Sequence, residues 1–424
     1  GTNLIIVVND NEMSIAENHG GLYQNLKELR DTEGRSSCNF FRSLGLDYLY
    51  VGEGNDIPSL VAAFAKVKDT SRPTVVHIHT QKGKGYAPAE ADREEFHWEM
   101  PFDLETGKPK VDCSGMEDYH SLTGKFLLEK MKEDHTVVAI SSGTPTVIGF
   151  TPERRKQAGR QFVDVGIAEE HAVALASGIA AGGGRPVYGV YSTFIQRCYD
   201  QLSQDLCING NPAVITVFMG TVAGMNDVTH LGFFDIPLIS NIPNMVYLAP
   251  TCSEEYFAML EWAVRQTEYP VAIRVPGVAV VHRKEEFDTD YSELNRYKMT
   301  ARGETVAILA LGSFYDLGQA LKNKLREESG VEATLINPRY ITGLDEPMLE
   351  ELKVGHRIVV TLEDGVLDGG FGEKIARYYG NSEMRVLNYG LRKEFADRYN
   401  LDELMKTNRL TDKQMAEDIA GILE

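Results

Sequence analysis

The chain has 424 residues, a formal net charge of −19, 43% hydrophobic residues and 25% charged residues, which predicts two or three globular domains with large buried cores. The negative charge argues against nucleic acid or an anionic membrane as a partner, and no apolar run approaches the roughly 20 residues of a membrane span. No signal peptide is visible, and the five cysteines lack metal-ligand spacing, so we expect a cytoplasmic α/β protein with reduced thiols at Cys38, Cys113, Cys198, Cys207 and Cys252.

The chain opens with an apolar run, Asn3 to Asp10, that is typical of a parallel strand buried on both faces. Such a strand needs neighbouring strands on both sides, yet only Gly1 and Thr2 precede it. We therefore expect either that the chain is a truncated form or that the first part of this domain comes from elsewhere, such as another chain. Asn11 and Met13 follow at the carboxyl end of the strand, where open α/β sheets bind ligands. An amide oxygen and a backbone carbonyl suit Mg²⁺, although a simple Asn/Asp turn explains the same sequence.

The rest of the first segment alternates helix and strand. A mixed helical stretch (22–42) and an amphipathic helix (57–68) precede a buried strand (72–80). The Gly-punctuated basic loop from Gln81 to Tyr86 is equally consistent with a phosphate-facing loop and an exposed turn. A polar linker (103–115) with three breakers then predicts the first domain boundary.

The stretch from Asp164 to Ala172 joins a predicted strand to an Ala- and Gly-rich predicted helix that runs to Ala181. It places the carboxylates Glu169 and Glu170 and the imidazole of His171 between two apolar elements. A functional site and an ordinary helix N-terminus explain this pattern equally well.

Further strands are predicted at 137–141, 186–190 and 213–218. If the segment from Tyr191 to Asp200 is helical, Tyr191, Phe194 and Arg197 share one face that suits a flat heterocycle beside an anion. Core packing by the two rings explains the same spacing. His230, at the end of a loop predicted to be flexible, is either a proton carrier or an ordinary loop histidine.

The third segment follows a charged connection (283–302). The pattern predicts strand and turn at 305–313, a helix at 315–329, and strands at 333–336 and 356–363. The Gly-rich stretch after Glu363 has no basic residues beside it, so we interpret it as structural turns.

The order of these motifs resembles the transketolase group of thiamine-diphosphate enzymes, and most closely the 1-deoxy-D-xylulose-5-phosphate synthase family. The resemblance covers nearly all of the chain. It implies three consecutive α/β domains with mostly parallel sheets: a partial pyrophosphate-binding domain (1–115), a pyrimidine-binding domain (116–290) and a transketolase C-terminal domain (300–424). It also implies a homodimer, since in this group the cofactor lies between a pyrophosphate domain and a pyrimidine domain.

The resemblance further implies the cofactors thiamine diphosphate and Mg²⁺. Asn11 and the carbonyl of Met13 would bind Mg²⁺. Phe194 would stack on the aminopyrimidine ring, Ile167 would contact the cofactor, and Glu169 would be the carboxyl group that activates it.

For the substrates, the resemblance implies pyruvate as a 2-oxo acid donor and the aldehyde of glyceraldehyde 3-phosphate as acceptor. His97 and His230 would line the channel where the substrates react. Tyr191 and Arg197 would meet the phosphate of the acceptor, and Asn226 would contact the substrate.

Several positions depart from the family pattern. The family's Gly-Asp-Gly segment, whose aspartate binds Mg²⁺, is absent. Phe218 and Met219 stand in place of a typical Asp-Arg pair, Asn226 in place of an aspartate, and Gly277 in place of an arginine. Losing two cations removes charge-assisted contacts to a phosphate. The open alternatives are therefore the synthase itself, a relative with a different, unphosphorylated acceptor, and an inactive fragment or subunit that needs a partner chain.

Overall fold

The structure is a computed structural model that describes residues 2–111, 115–277 and 279–423, and Cys113 lies outside these ranges. It consists of two compact units. Unit 1 contains Gly1–Met116 and Asp164–Ile167, and unit 2 contains Glu117–Val163 and Ala168–Glu424. Within the described residues, none of the helices is long and apolar enough to cross a membrane. The thiols of Cys38, Cys198, Cys207 and Cys252 are free.

Unit 1 is built on a three-stranded parallel sheet with the strand order β1-β3-β2. Its strands are β1 (Ile5–Asp10), β2 (Asp47–Val51) and β3 (Thr74–His79). Its helices are α1 (Gly21–Asp31), α2 (Phe40–Ser43), α3 (Ile57–Val67) and α4 (Ala87–Ala91), followed by a 3₁₀ turn at Glu95–His97.

The first strand is confirmed, but the prediction that it is buried on both faces is wrong. β1 pairs only with β3 and forms an edge of the described sheet. The side chain of Val7 is 48% exposed and that of Leu4, just before the strand, is 56% exposed. An edge strand has a neighbour on one side only, so its apolar side chains keep contact with solvent.

The first sheet of unit 2 has six strands in the order β5-β4-β6-β7-β9-β8. Its strands are β4 (Val137–Ser141), β5 (Phe162–Asp164), β6 (Arg185–Tyr191), β7 (Val214–Phe218), β8 (Val246–Leu248) and β9 (Val271–Arg274), and β4-β6-β7-β9-β8 pair in parallel. The accompanying helices are α5 (Tyr119–Glu133), α6 (Pro152–Ala158), α7 (Glu169–Ala181), α8 (Asp235–Ser240) and α9 (Ser253–Arg265).

The second sheet of unit 2 has the order β10-β12-β11-β13-β14, and only β10 is antiparallel to its neighbour. Its strands are β10 (Lys298–Ala301), β11 (Thr305–Ala310), β12 (Thr334–Asn337), β13 (His356–Val366) and β14 (Arg385–Leu391). The helices are α10 (Tyr315–Ser329), α11 (Glu346–Gly355), α12 (Phe371–Tyr379), α13 (Leu401–Thr407) and α14 (Asp412–Leu423). The predicted α/β class with mostly parallel sheets is confirmed, whereas the division into three domains stays a prediction.

Glu363 shows why glycines follow β13. Its buried carboxylate accepts hydrogen bonds from the backbone N–H groups of Phe371 and Gly372, at 2.8 and 2.7 Å, and so holds the start of α12. A Cβ atom at Gly370 would lie 2.5 Å from the Glu363 carboxylate, so this position must lack a side chain. The predicted turn directly after Glu363 is wrong, because β13 continues to Val366.

Glu363 should make the stability of the fold depend on pH. Burial raises its pKa from 4.5 to about 7, against the opposing effect of the two N–H donors. Below pH 4.5 the carboxyl is protonated in both states; as the pH rises towards 7 the unfolded chain releases this proton while the folded chain retains it, so the folded state loses stability. The difference between a pKa of 4.5 in the unfolded chain and about 7 in the folded chain corresponds to about 3 kcal/mol at neutral pH.

We therefore expect Glu363→Gln to flatten the decline in unfolding free energy between pH 4.5 and 7, as measured by urea unfolding across that window. The exposed Glu417→Gln provides the matched control and should retain the decline of the parent chain. An unchanged pH dependence in Glu363→Gln would show that this carboxyl does not hold a proton in the folded state.

Candidate active site

In unit 1, the loop after β1 carries the two predicted Mg²⁺ ligands. The Oδ1 atom of Asn11 accepts a hydrogen bond from the N–H of Met13 at 3.1 Å, which closes a tight turn. An amide oxygen has a second lone pair, and the carbonyl of Met13 accepts no hydrogen bond from the described residues. Two oxygen ligands are thus present. Among the described residues, no cluster of three or more His, Cys, Asp or Glu side chains could hold a metal.

A buried polar network supports this loop from behind. The carboxylate of Asp10, at the end of β1, accepts a hydrogen bond from Arg30 and lies 2.9 Å from Nε2 of His77. Nδ1 of His77 lies 2.7 Å from the hydroxyl of Tyr48. Burial alone would raise the pKa of Asp10, but the hydrogen bonds from His77 and Arg30 lower it to about 2. Asp10 also accepts the N–H of Glu12, so the network holds the backbone between the two predicted ligands.

The basic loop of unit 1 reaches the same region. Nζ of Lys82 donates hydrogen bonds to the carbonyl oxygens of Ser14 and Ile15, at 2.7 and 3.1 Å. Burial lowers the pKa of Lys82. Burial, and then the charge of Lys82, lower the pKa of His97, so this imidazole tends to remain neutral at neutral pH. Ile167, the predicted cofactor contact, is 52% exposed.

In unit 2, Glu169 is the first residue of α7 and is only 3% exposed. Its Oε2 atom lies 3.3 Å from Nη1 of Arg197, whose side chain is 59% exposed. A carboxylate at a helix N-terminus is favoured by the helix dipole, and the guanidinium adds a charge-assisted hydrogen bond. The structure therefore provides a buried carboxyl group with one cationic partner.

Three other predicted residues of unit 2, Tyr191, Phe194 and His230, come together after β6. The rings of Tyr191 and Phe194 have centroids 5.7 Å apart, and the rings of Phe194 and His230 are 5.5 Å apart in an edge-to-face arrangement. The predicted helical face is wrong, because Tyr191 is the last residue of β6 and the helical stretch begins only at Phe194, with the 3₁₀ helix Phe194–Cys198. A turn after the strand brings the rings together instead.

His230 is oriented by its own loop. The hydroxyl of Thr229 lies 2.8 Å from Nδ1 of His230 and donates to Oδ1 of Asp227, which lies 3.5 Å from the same nitrogen. The hydroxyl of Thr193, on the turn after β6, donates to the carbonyl of Thr229 at 3.0 Å. The segments that carry Phe194 and His230 are thus joined by a hydrogen bond from the side chain of Thr193 to the backbone of Thr229.

The predicted substrate residue Asn226 is engaged elsewhere. Its side-chain nitrogen donates to the carbonyl of Tyr399 at 3.1 Å, and its own carbonyl accepts the N–H of Arg398 at 2.6 Å. The N–H of Val228 donates to Asp397 at 3.2 Å. These bonds anchor the loop that carries His230, which the sequence predicts to be flexible.

Sequence reasoning did not identify a buried charge cluster beside this site. Nε of Arg274 donates to Asp235 at 2.7 Å, and its Nη1 donates to Asp364; all three side chains are buried. Asp235 also accepts a hydrogen bond from Ser192 at 3.1 Å, and Arg274 donates to the carbonyl of Gly232 at 3.3 Å. The cluster therefore connects the turn before Phe194 with the loop that carries His230. The sequence signal that could have revealed this cluster is Arg274 itself, a charged residue that follows directly on the apolar residues of β9.

Three family models match the chain in order. Residues 1–37 match "1-deoxy-D-xylulose-5-phosphate synthase", residues 117–280 match "Transketolase, pyrimidine binding domain", and residues 296–415 match "Transketolase, C-terminal domain". Glu169, Phe194 and His230 fall within the pyrimidine-binding match.

Curated relatives extend the match to nearly the whole chain. A 1-deoxy-D-xylulose-5-phosphate synthase of Clostridium botulinum is 32% identical over 452 residues, covering 96% of this chain and 71% of the relative. The enzyme of the same name from Clostridium tetani is 32% identical over 461 residues, covering 100% of this chain and 73% of the relative.

Solved structures show the same fold at lower identity. A split-gene transketolase in an inactive beta4 tetramer is 21% identical with a TM-score of 0.60, covering 72% of this chain and 98% of that chain. A Pichia stipitis transketolase in complex with sedoheptulose 7-phosphate is 15% identical with a TM-score of 0.58, covering 99% of this chain and 71% of that chain.

The fold, the domain matches and the relatives together define a transketolase-like, thiamine-diphosphate-dependent transferase. More specifically, the chain belongs to the 1-deoxy-D-xylulose-5-phosphate synthase family.

Proposed function

We propose that this chain transfers the two-carbon unit of pyruvate to an aldehyde acceptor with release of CO₂. One carbon–carbon bond of pyruvate breaks, its carboxylate leaves as CO₂, a new carbon–carbon bond forms to the aldehyde carbon, and the aldehyde oxygen takes up one proton. The observation that carries the proposal is the buried carboxyl of Glu169 in the same unit as the adjoining rings of Phe194 and His230. The names of the curated relatives support it.

Each of these residues has a defined task in that reaction. Thiamine diphosphate, when bound, supplies the carbon nucleophile that the side chains of proteins lack. The carboxyl of Glu169 would hold a proton on the aminopyrimidine ring, and the Phe194 ring would provide the stacking surface. His230, oriented through Asp227 and Thr229, would exchange a proton with the substrate oxygen.

Unit 1 would hold the charged end of the cofactor. Asn11 and the carbonyl of Met13 would bind Mg²⁺. His97 would line the channel where the substrates react, as a neutral imidazole. Two oxygen atoms on one tight turn, the Oδ1 atom of Asn11 with its second lone pair and the carbonyl of Met13, support the metal proposal. The homodimer and the cytoplasmic location stay proposals, supported by the family and by the scattered free cysteines.

Two acceptors are candidates. The family points to glyceraldehyde 3-phosphate, with Tyr191 and Arg197 at its phosphate. An unphosphorylated aldehyde is the second candidate, and the structure favours it at two positions. Met219 packs against the apolar core, and the backbone of Gly277 has φ +51°, a conformation in which a longer side chain is strained.

Calorimetric titration of the full chain with thiamine diphosphate tests the cofactor site. We expect saturable, Mg²⁺-dependent binding that Asn11→Ala weakens at least tenfold, because loss of even an indirect metal contact costs roughly 10- to 100-fold in affinity. Gln24→Ala, on the exposed face of α1, should bind as the parent chain does.

Binding that is equally strong in Asn11→Ala would contradict the proposed metal ligand. Absence of binding at millimolar cofactor would favour the remaining alternative, an inactive subunit that needs a partner chain. Size-exclusion chromatography of the chain with candidate partners would then test that alternative directly.

A further inference from the structure

His120, near the start of α5, extends the aromatic site of unit 2. Its ring is stacked on Phe218, with centroids 4.7 Å apart and an interplanar angle of 20°. It also lies perpendicular to Tyr191, with centroids 6.1 Å apart. Since Tyr191 adjoins Phe194 and Phe194 adjoins His230, five rings form one continuous series. We refer to these five, His230, Phe194, Tyr191, His120 and Phe218, as the ring row.

One nitrogen of His120 is committed and the other is free. Nδ1 lies 2.7 Å from the carbonyl oxygen of Val147. A carbonyl oxygen only accepts, so Nδ1 must carry a hydrogen, and in the neutral ring Nε2 then carries the lone pair. Within residues 2–111, 115–277 and 279–423, Nε2 makes no hydrogen bond, and His120 as a whole is half-buried. The ring row therefore presents a hydrogen-bond acceptor.

The protonation state of His120 determines which ligand groups its Nε2 atom can bind. Burial lowers the pKa of His120, and the opposing effects of the Val147 carbonyl and Asp118 do not reverse this. At neutral pH the imidazole is therefore neutral. A neutral Nε2 is a hydrogen-bond acceptor, so it attracts an O–H group. It repels a phosphate oxyanion, because Nε2 and the oxyanion each present a lone pair and no hydrogen lies between them. The neighbouring Phe218 and Met219 carry no positive charge that could attract a phosphate group. Arg197 does carry a positive charge, but it is already paired with Glu169.

We propose that Nε2 of His120 accepts a hydrogen bond from the terminal hydroxyl group of the acceptor, the one that a phosphate ester lacks, and that the ring row thereby selects an uncharged hydroxyaldehyde over its phosphate ester. The inference rests on the proposed function, because it names the acceptor class of that transfer. It assigns His120 a role in specificity that the sequence did not suggest.

Nuclear magnetic resonance of the chain labelled with ¹⁵N-histidine tests this without requiring turnover. His120→Phe keeps the stacked ring and identifies the Nε2 signal by its loss. With thiamine diphosphate and Mg²⁺ present, D-glyceraldehyde should shift this signal saturably, and D-glyceraldehyde 3-phosphate should bind at least several-fold more weakly. No shift with either compound, or tighter binding of the phosphate ester, would overturn the proposal.

Kinetics separate this inference from the proposed function. Loss of one neutral hydrogen bond should raise the KM for D-glyceraldehyde by roughly three- to tenfold in His120→Phe. The exposed His135→Phe should leave that KM unchanged. If pyruvate is not consumed with any aldehyde, the proposed function fails, whereas the magnetic resonance titration still decides the role of His120. An unchanged KM in His120→Phe would contradict the hydrogen bond.

Discussion

Glu169→Gln should reduce the rate of pyruvate consumption by roughly 10²- to 10⁴-fold, the usual contribution of a positioned acid or base. Glutamine has nearly the same shape, but it cannot hold or release a proton. Because Glu169 is buried at the first residue of α7, water cannot readily replace its function. The measurement is kcat for pyruvate with saturating thiamine diphosphate and Mg²⁺.

The neighbouring residue provides a matched control. Glu170 lies in the same first turn of α7 but is exposed, so Glu170→Gln tests whether loss of any acid at this helix terminus is harmful. We expect Glu170→Gln to retain the activity of the parent chain. Equal losses in the two variants would assign the effect to the stability of α7 and would argue against a catalytic role for Glu169.

Arg274→Met should produce the largest loss of stability in the chain. Arg274 is enclosed with Asp235 and Asp364, and the hydroxyl of Tyr247 also donates to Asp235. Without the guanidinium, two buried carboxylates lose their counter-charge, which typically costs about 3–5 kcal/mol of unfolding free energy. The measurement is urea unfolding, followed by the signal of the buried tyrosines.

A surface ion pair sets the scale for comparison. Arg302 pairs with Glu351 at 2.8 Å, but both side chains are largely exposed. Arg302→Met should therefore cost about 0–1 kcal/mol. If Arg274→Met costs no more than Arg302→Met, the buried cluster does not stabilise unit 2, and its role in connecting the Phe194 turn to the His230 loop would also be in doubt.

Elements with a clear local pattern were predictable from the sequence. The helix Tyr315–Ser329 and the strand Val137–Ser141 are confirmed at their predicted bounds, because an amphipathic repeat and a short apolar run identify them locally. β2 and β14 were not predicted, because polar or glycine residues weaken their local strand pattern. They form strands because pairing with neighbouring strands outweighs this weak local preference. The exposure of β1 depends on what lies beside it, which its own sequence cannot show.

The candidate site also contains residues that could be predicted from the sequence and one that could not. The family resemblance led to Glu169, Phe194 and His230, and the structure brings Phe194 and His230 into contact. His120 was not predicted, because only the packing of α5 against β6 and β7 places its ring between Tyr191 and Phe218. Contacts between residues about 30 to 100 positions apart leave no local signal in a single sequence.

The proposed transfer is tested most directly by supplying the full chain with ¹³C-labelled pyruvate, thiamine diphosphate, Mg²⁺ and an aldehyde, and by following the carbon signals by magnetic resonance. We expect labelled CO₂ to appear together with a ketose that contains the two remaining carbons of pyruvate, and we expect Glu169→Gln to slow the appearance of both by roughly 10²- to 10⁴-fold. Labelled pyruvate that remains unchanged with every aldehyde, in a chain that binds the cofactor, would show that the protein does not catalyse this transfer.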